Sequence, residues 1–203
     1  MHLYEPILPF KHIHIDSGLL WRILLLLALL LAAPFLAGCR HSESAIVAAS
    51  GAVITLSSTS LQDGRVPKEF TCDGDDKSPP MTWQAPPDGT RALALTVTDP
   101  DAPGQAFTHW VLYNVPASTN GVPEGVPKQG QLSDGSRQGT TDFGKVGYGG
   151  PCPPPGKPHR YVFTLYALDS KLEVPSGAPR SQVESAMQGH VLARGELTAS
   201  YGR

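Results

Sequence analysis

GYGGPCPPPGKPHRY, at residues 147–161, packs four glycines and five prolines around one cysteine. Glycine lets a backbone come close to a ligand, and proline fixes φ and removes an N–H donor, so we expect a stiff, shaped loop. The loop ends in His159, Arg160 and Tyr161, which enter an apolar run typical of a strand. An imidazole, a guanidinium and a phenol in this setting predict a small preformed site for an anion. The composition alone fits an ordinary surface loop equally well.

A second polar cluster lies upstream, where the apolar run 92–98 is followed by DPDAP at 99–103. Prolines stop a strand from continuing, so we expect these carboxylates at the rim of a sheet. His109 then opens another apolar run, 110–115. Taken alone, the two aspartates fit a turn. Two strand-edge clusters with one histidine each can instead converge on one pocket in a small β-fold.

These segments resemble the phosphatidylethanolamine-binding protein family, and specifically its bacterial Raf-kinase-inhibitor-like YbhB/YbcL branch. The resemblance covers residues 53–203. The matching motifs are DPDAP at 99–103, HW at 109–110, the glycine-proline-cysteine string with HRY, FTCDG at 70–74, SPP at 78–80 and DFG at 142–144. It implies a mostly β fold, a β-sandwich built around a central Greek-key sheet, to which the sequence adds a C-terminal helix.

The resemblance also implies a pocket that binds a small anion. The lining positions it implies are Asp99, His109, His159 and Tyr161, with the backbone of Gly150, Cys152 and their neighbours contacting the ligand. Ring N–H groups, a phenol and loop amides are the donors that an anion requires. Since a bare carboxylate would repel the ligand, we expect Asp99 to accept a hydrogen bond from a histidine and fix its tautomer.

Arg160 lies between His159 and Tyr161 on the predicted strand. Alternation along a strand turns its side chain away from the face that those two residues use. We therefore expect Arg160 to form a structural ion pair with the segment 99–101 rather than to bind the anion.

Residues 1–38 resemble a bacterial lipoprotein signal peptide. An uncharged, leucine-rich run at 23–37 is too short for a comfortable membrane span, and it ends in LAGC at 36–39, which resembles the lipobox. We expect Cys39 to carry lipid, residues 39–52 to form a tether and residues 53–203 to form the domain. The expected location is the cell envelope, facing the periplasm, with the outer membrane favoured by Arg40. An uncleaved signal anchor is the alternative.

Two further cysteines, Cys72 and Cys152, remain when Cys39 is lipidated. An even pair in an oxidising compartment, each within a family motif, favours a disulfide between them. The alternative is two small buried thiols. The net charge of −2 and the lack of a basic stripe argue against a nucleic-acid partner.

Short apolar runs separated by proline and glycine predict the strands. The predicted strands are 53–56, 92–98, 110–115, 161–168 and 196–199, with 116–141 mostly loop and with Trp83 and Trp110 in the core or pocket wall. A capping box at 181–184 predicts one helix, with Arg194 in its last turn and Gly195 as its stop. On this helix His190 shares the apolar face and is expected to be a packed core residue.

We expect a non-enzymatic, exported binding protein without a cofactor, whose ligand is phosphate or a phosphorylated head group and which acts on an unidentified protein partner. One alternative is an interaction module, similar to a protease or kinase inhibitor, in which the pocket is incidental and residues 116–141 form the contact surface. Another is a hydrolase, against which the sequence has no Gly-x-Ser-x-Gly, His-Glu-x-x-His or Walker motif. A metal site at Asp99, His109 and His159 is a third, although the spacing is unlike standard zinc sets.

Replacement of Cys39 tests the lipoprotein assignment. We expect Cys39→Ser to abolish incorporation of labelled fatty acid in bacterial cells, because the variant lacks the sulfur to which the acyl chains attach. Unchanged labelling in this variant would contradict the assignment.

Overall fold

A computed structural model describes residues 51–203 of the chain. The predicted signal peptide, Cys39 and the tether up to residue 50 lie outside the described residues. No helix within the described part is both long enough and apolar enough to cross a bilayer.

The described residues form two β-sheets, one α-helix and a short 3-10 turn. The strands are β1 (Ala52–Val53), β2 (Leu56–Ser57), β3 (Met81–Trp83), β4 (Ala92–Asp99), β5 (Phe107–Pro116), β6 (Gly121–Val122), β7 (Arg137–Gln138), β8 (His159–Leu168) and β9 (Val191–Tyr201). The helix α1 spans Arg180–Met187, and the 3-10 turn spans Lys68–Phe70. The predicted mostly β fold with one helix near the C terminus is confirmed.

The larger sheet has six strands in the order β1-β9-β8-β4-β5-β7, and the smaller has the order β2-β3-β6. Only the β1–β9 pair of the larger sheet is parallel. β4 is buried along almost its whole length, so its near-continuous apolar sequence reflects cover on both faces. One face packs on a cluster that includes Trp83 and Trp110, and the other on a cluster that includes Val183 and Met187 of α1. The predicted burial of both tryptophans is confirmed.

The antiparallel pairing brings three strand ends together. β4 pairs with β5 through Asp99 and Phe107 and with β8 through Thr98 and Val162. The end of β4 therefore lies between the start of β5 and the start of β8. His109 is near the start of β5 and His159 begins β8, so the fold places both close to Asp99.

A β-bulge sits at His109. Val97 pairs with Trp110 and the next residue, Thr98, pairs with Thr108, so His109 is the extra residue on β5. Strict alternation from Trp110 would turn His109 to the opposite face of the sheet. A bulge re-aims a side chain, and here the His109 ring lies 5.0 Å from the ring of Tyr161.

The predicted helix was wrong at both ends. The residue before its first turn is Pro179, which makes no side-chain capping bond, so the capping box at 181–184 does not form. The helix stops at Met187, Gly189 has a φ of 80°, and Val191 already begins β9. Pairing with β8 along its whole length overrides the helical pattern that continues to residue 194.

His190 is consequently not a core residue. Its side chain is 46% exposed, and its Nδ1 lies 2.8 Å from Oδ1 of Asp169. Because β9 begins directly after His190, the apolar helical face on which its burial was predicted does not reach it.

Gly195 allows the first described strand to cross β9 closely. A Cβ at this position would lie 1.9 Å from the backbone oxygen of Ile54, and Ile54 N–H donates to the carbonyl of Arg194 at 3.1 Å. Because this oxygen belongs to the backbone, it cannot move away by a side-chain rotation.

Gly195→Ala is therefore expected to lower the free energy of unfolding by at least about 2 kcal/mol in urea titrations, since backbone must move to admit one methyl group. The control is Thr198→Ala on the exposed side of the same strand, which is expected to cost less than about 1 kcal/mol. Equal stability of Gly195→Ala and the unaltered protein would show that the Ile54 backbone does not pack against Gly195.

Candidate functional site

A cavity of about 160 Å³ opens where β4 ends and β5 and β8 begin. The residues that line it are Asp99, Ala102, Pro103, Phe107, His109, Phe143, Cys152, Pro153, Pro154, His159 and Tyr161. Five of the six predicted ligand-binding positions are in this set. The sixth, Gly150, is not.

Asp99 is buried and both of its carboxylate oxygens are occupied. Oδ2 lies 2.7 Å from Nδ1 of His159, and Oδ1 accepts the N–H of Asp101 at 2.8 Å. The carboxylate thus bridges the end of β4 to the start of β8. Its contact with Nδ1 leaves Nε2 as the nitrogen of His159 that is available to a ligand.

Arg160 forms the structural ion pair that the sequence predicts. Its Nε and one terminal nitrogen donate to the two carboxylate oxygens of Asp101 at 2.9 and 2.8 Å, and its backbone N–H also donates to Asp101. The hydrogen bonds from Arg160 hold the pKa of Asp101 well below its usual range. Because this pair is largely exposed, it contributes little stability, and its main effect is to hold the turn after β4 against the start of β8.

His109 is fixed by a reciprocal contact with the glycine-rich loop. Its Nδ1 donates to the carbonyl oxygen of Gly149 at 2.8 Å, and the Gly149 N–H donates to the carbonyl oxygen of His109, also at 2.8 Å. A carbonyl oxygen can only accept, so Nδ1 carries the proton. Burial lowers the pKa of His109, so its ring is neutral at pH 7.

Tyr161 contributes a hydroxyl group without a partner. Its side chain is fully buried, and its Oη is the one buried side-chain polar atom in the described part of the chain that makes no hydrogen bond. Burial raises the pKa of the phenol, which therefore stays protonated and can donate. Buried hydroxyl groups are normally bonded, so an orphan in a cavity indicates a missing acceptor.

The loop that follows residue 147 closes one side of the cavity. Cys72 and Cys152 form a disulfide, and the Cys72 N–H donates to the carbonyl oxygen of Pro151 at 3.1 Å. At the far end of the loop, Arg203 donates to the carbonyl oxygen of Pro153 at 3.4 Å and pairs with Asp73. These links hold the proline segment against the strand ends.

The loop amides are used differently from the expectation. Gly150 N–H donates to Oδ1 of Asp76 at 2.6 Å, and Gly149 N–H is already bonded to the backbone of His109. The prediction that these two amides face the ligand is therefore wrong: the loop needs them to hold its own shape. Of residues 149–152, only the Cys152 amide has no hydrogen-bond partner within the described chain.

The aromatic part of the wall includes Phe143, which sequence reasoning missed, and Phe107, which aligns with a tryptophan near the pocket of animal family members. Phe107 and Phe143 pack edge to face with ring centroids 4.7 Å apart, and both lie beside His109. Phe143 belongs to the DFG motif at 142–144, which was noted only as a family match. Its side chain is 42% exposed and lines the cavity.

The alternative of a metal centre does not form in this geometry. Among residues 51–203, no group of three or more histidine, cysteine, aspartate or glutamate side chains is placed to hold a metal ion.

Comparisons with known proteins agree with this architecture. The sequence model of the family described as phosphatidylethanolamine-binding protein matches residues 57–202. A UPF0098 protein of Methanothermobacter thermautotrophicus is 49% identical over 140 residues, which cover 69% of this chain and 92% of that protein. UPF0098 protein YbhB of Escherichia coli is 42% identical over 132 residues, covering 64% of this chain and 84% of YbhB.

The same relationship holds for solved structures. The crystal structure of Escherichia coli YbcL, described as a new member of the mammalian PEBP family, superposes with a TM-score of 0.70 at 34% sequence identity. The match covers 75% of this chain and 99% of YbcL.

Two tyrosine-to-phenylalanine variants test the orphan hydroxyl. Tyr161→Phe removes a buried group that has no partner, so the free energy of unfolding without added anion should stay the same or rise by up to about 1 kcal/mol. Tyr148 is the matched control, because its buried hydroxyl donates to the carbonyl of Phe70 at 2.7 Å; Tyr148→Phe should cost about 1–2 kcal/mol. A comparable loss in Tyr161→Phe would mean that its hydroxyl has a protein partner.

Proposed function

Because the chain belongs to the phosphatidylethanolamine-binding protein family, we propose that its cavity binds the anionic group of a small ligand, such as phosphate or a phosphorylated head group, without chemical turnover. The observation that carries this proposal is the unpartnered hydroxyl of Tyr161 beside two histidines in one cavity. An oxyanion supplies the acceptor that this hydroxyl lacks. The proposal also places the protein in the cell envelope, on the strength of the LAGC motif at 36–39.

The size of the cavity favours a single small group. Pockets for drug-sized ligands measure about 300–1,000 Å³, whereas this cavity measures about 160 Å³. A phosphate or sulfate group fits this space, and any larger part of the ligand must lie outside it.

Binding is expected to take up a proton. His109 carries its proton on Nδ1, so its neutral ring offers only an acceptor from Nε2. An anion also offers only acceptors, unless it is itself protonated. Besides the donor hydroxyl of Tyr161, the anion would face the Nε2 lone pair of His109, which repels negative charge, so we expect His109 to become imidazolium when a fully ionised anion enters.

The cavity lining supports binding without catalysis. Among the described residues that form it there is no serine, threonine or lysine, and the sulfur of Cys152 is bonded to Cys72. The Asp99–His159 pair resembles the base of a hydrolase, but the lining offers no serine, threonine or free cysteine for it to activate.

Calorimetry with sulfate tests the binding and its proton linkage. Sulfate keeps the same charge across the pH range used, so any change in affinity reports on the protein. The imidazolium form binds the anion, and its population rises as pH falls, so affinity should increase from about pH 8 to about pH 5.5. Titrations in two buffers of different ionisation enthalpy should show proton uptake close to one.

The Asp99→Ala variant tests the role of this carboxylate in the same assay. We expect it to weaken sulfate binding about fivefold although it removes a negative charge, because His159 loses the group that orients its ring. Asp88→Ala, an exposed aspartate before the opposite end of β4, is the control and should leave affinity unchanged. Tighter binding by a folded Asp99→Ala protein, or an affinity independent of pH, would refute the proposed roles.

A further inference from the structure

A second cavity of about 320 Å³ adjoins the first. Phe143 and Cys152 line both cavities, so these two residues form a shared wall. The second cavity is lined by Cys72, Asp76, Lys128, Thr141, Phe143, Lys145, Tyr148, Gly149, Gly150 and Cys152. It is the larger of the two, and its chemistry is different.

The second cavity carries an excess of positive charge. Lys128 and Lys145 line it, and Asp76 is its one carboxylate. Asp76 is already engaged on both oxygens, by the Gly150 N–H at 2.6 Å and by the Lys128 ammonium at 2.5 Å. Lys145 takes part in none of the ion pairs found within residues 51–203. Its ammonium group is therefore free to meet an anion.

The shared wall is held at a defined position. The Phe143 ring packs against the rings of Phe107 and His109 and against the backbone of Gly149, where an added Cβ would lie 2.7 Å from the ring. The disulfide fixes Cys152 to Cys72 on the other side. A ligand that extends out of the first cavity past this wall meets the second cavity and its lysines.

We propose that the second cavity binds a second anionic group of the same ligand, so that the ligand class is a small molecule with two separated anionic groups. This inference rests on the proposed function, because it assumes that the first group occupies the histidine cavity. The acyl part of a phospholipid would favour an apolar surface, whereas this cavity presents the Lys145 ammonium, which, unlike that of Lys128, has no carboxylate partner in the described chain. A neutral or cationic head group would likewise gain no electrostatic attraction from the Lys145 ammonium.

A series of alkane bisphosphonates with two to six carbons between the phosphonate groups provides the test, with alkyl monophosphonates of equal length as partners. Calorimetry should find one spacer length that binds about tenfold tighter than its monophosphonate, the size of one charge-assisted contact. Lys145→Gln should reduce that ratio to below about twofold. Lys171→Gln is the control, because Lys171 is exposed and follows the end of β8 that is opposite His159.

The outcomes separate the two proposals. If monophosphonates bind and no bisphosphonate binds tighter, the second subsite is wrong and the anion cavity stands. A bisphosphonate advantage that Lys145→Gln leaves intact also overturns the second subsite, as does a steady gain in affinity with alkyl length alone, which would indicate a lipid. If no phosphonate or sulfate binds, the proposed function fails and this inference fails with it.

Discussion

The site depends on one constraint of the larger sheet: β4 must end where β5 and β8 begin. Antiparallel pairing on both sides of β4 imposes this, and the prolines at 100 and 103 stop the strand at that point. The hydrogen bond between Asp99 and His159 then ties the end of β4 to the start of β8. The remaining features of the cavity, from the edge-to-face aromatic rings to the disulfide-linked loop, are arranged around this junction.

Local sequence pattern was sufficient for the parts of the protein that alternation and turn residues determine. The apolar runs located the long strands. Alternation along β8 correctly predicted that the Arg160 side chain forms an ion pair with Asp101. Local sequence pattern was insufficient where strand pairing between distant segments competes with a local preference for helix. The residues after Met187 fit a helix, but their pairing with β8 makes them a strand, which leaves His190 exposed.

The candidate site likewise combines features that local sequence predicts with features that depend on long-range pairing. Its polar residues could be found from strand ends and family motifs, whereas the position of His109 depends on a bulge that only the register with β4 reveals. The amides of Gly149 and Gly150 were assigned to a ligand because glycine permits close approach, yet both are consumed in holding the loop. Whether a backbone amide can bind a ligand depends on whether the folded protein already supplies it with an acceptor. The sequence identifies the amides but not their acceptors.

Because the buried hydroxyl of Tyr161 has no partner, the stability of the purified protein is expected to depend on the buffer. An enclosed donor without an acceptor penalises the empty state, so any oxyanion that enters relieves that penalty and shifts the equilibrium toward the folded chain. Under the proposed function, melting temperature should thus vary with the choice of buffer salt, and a preparation made in phosphate would not be a ligand-free reference.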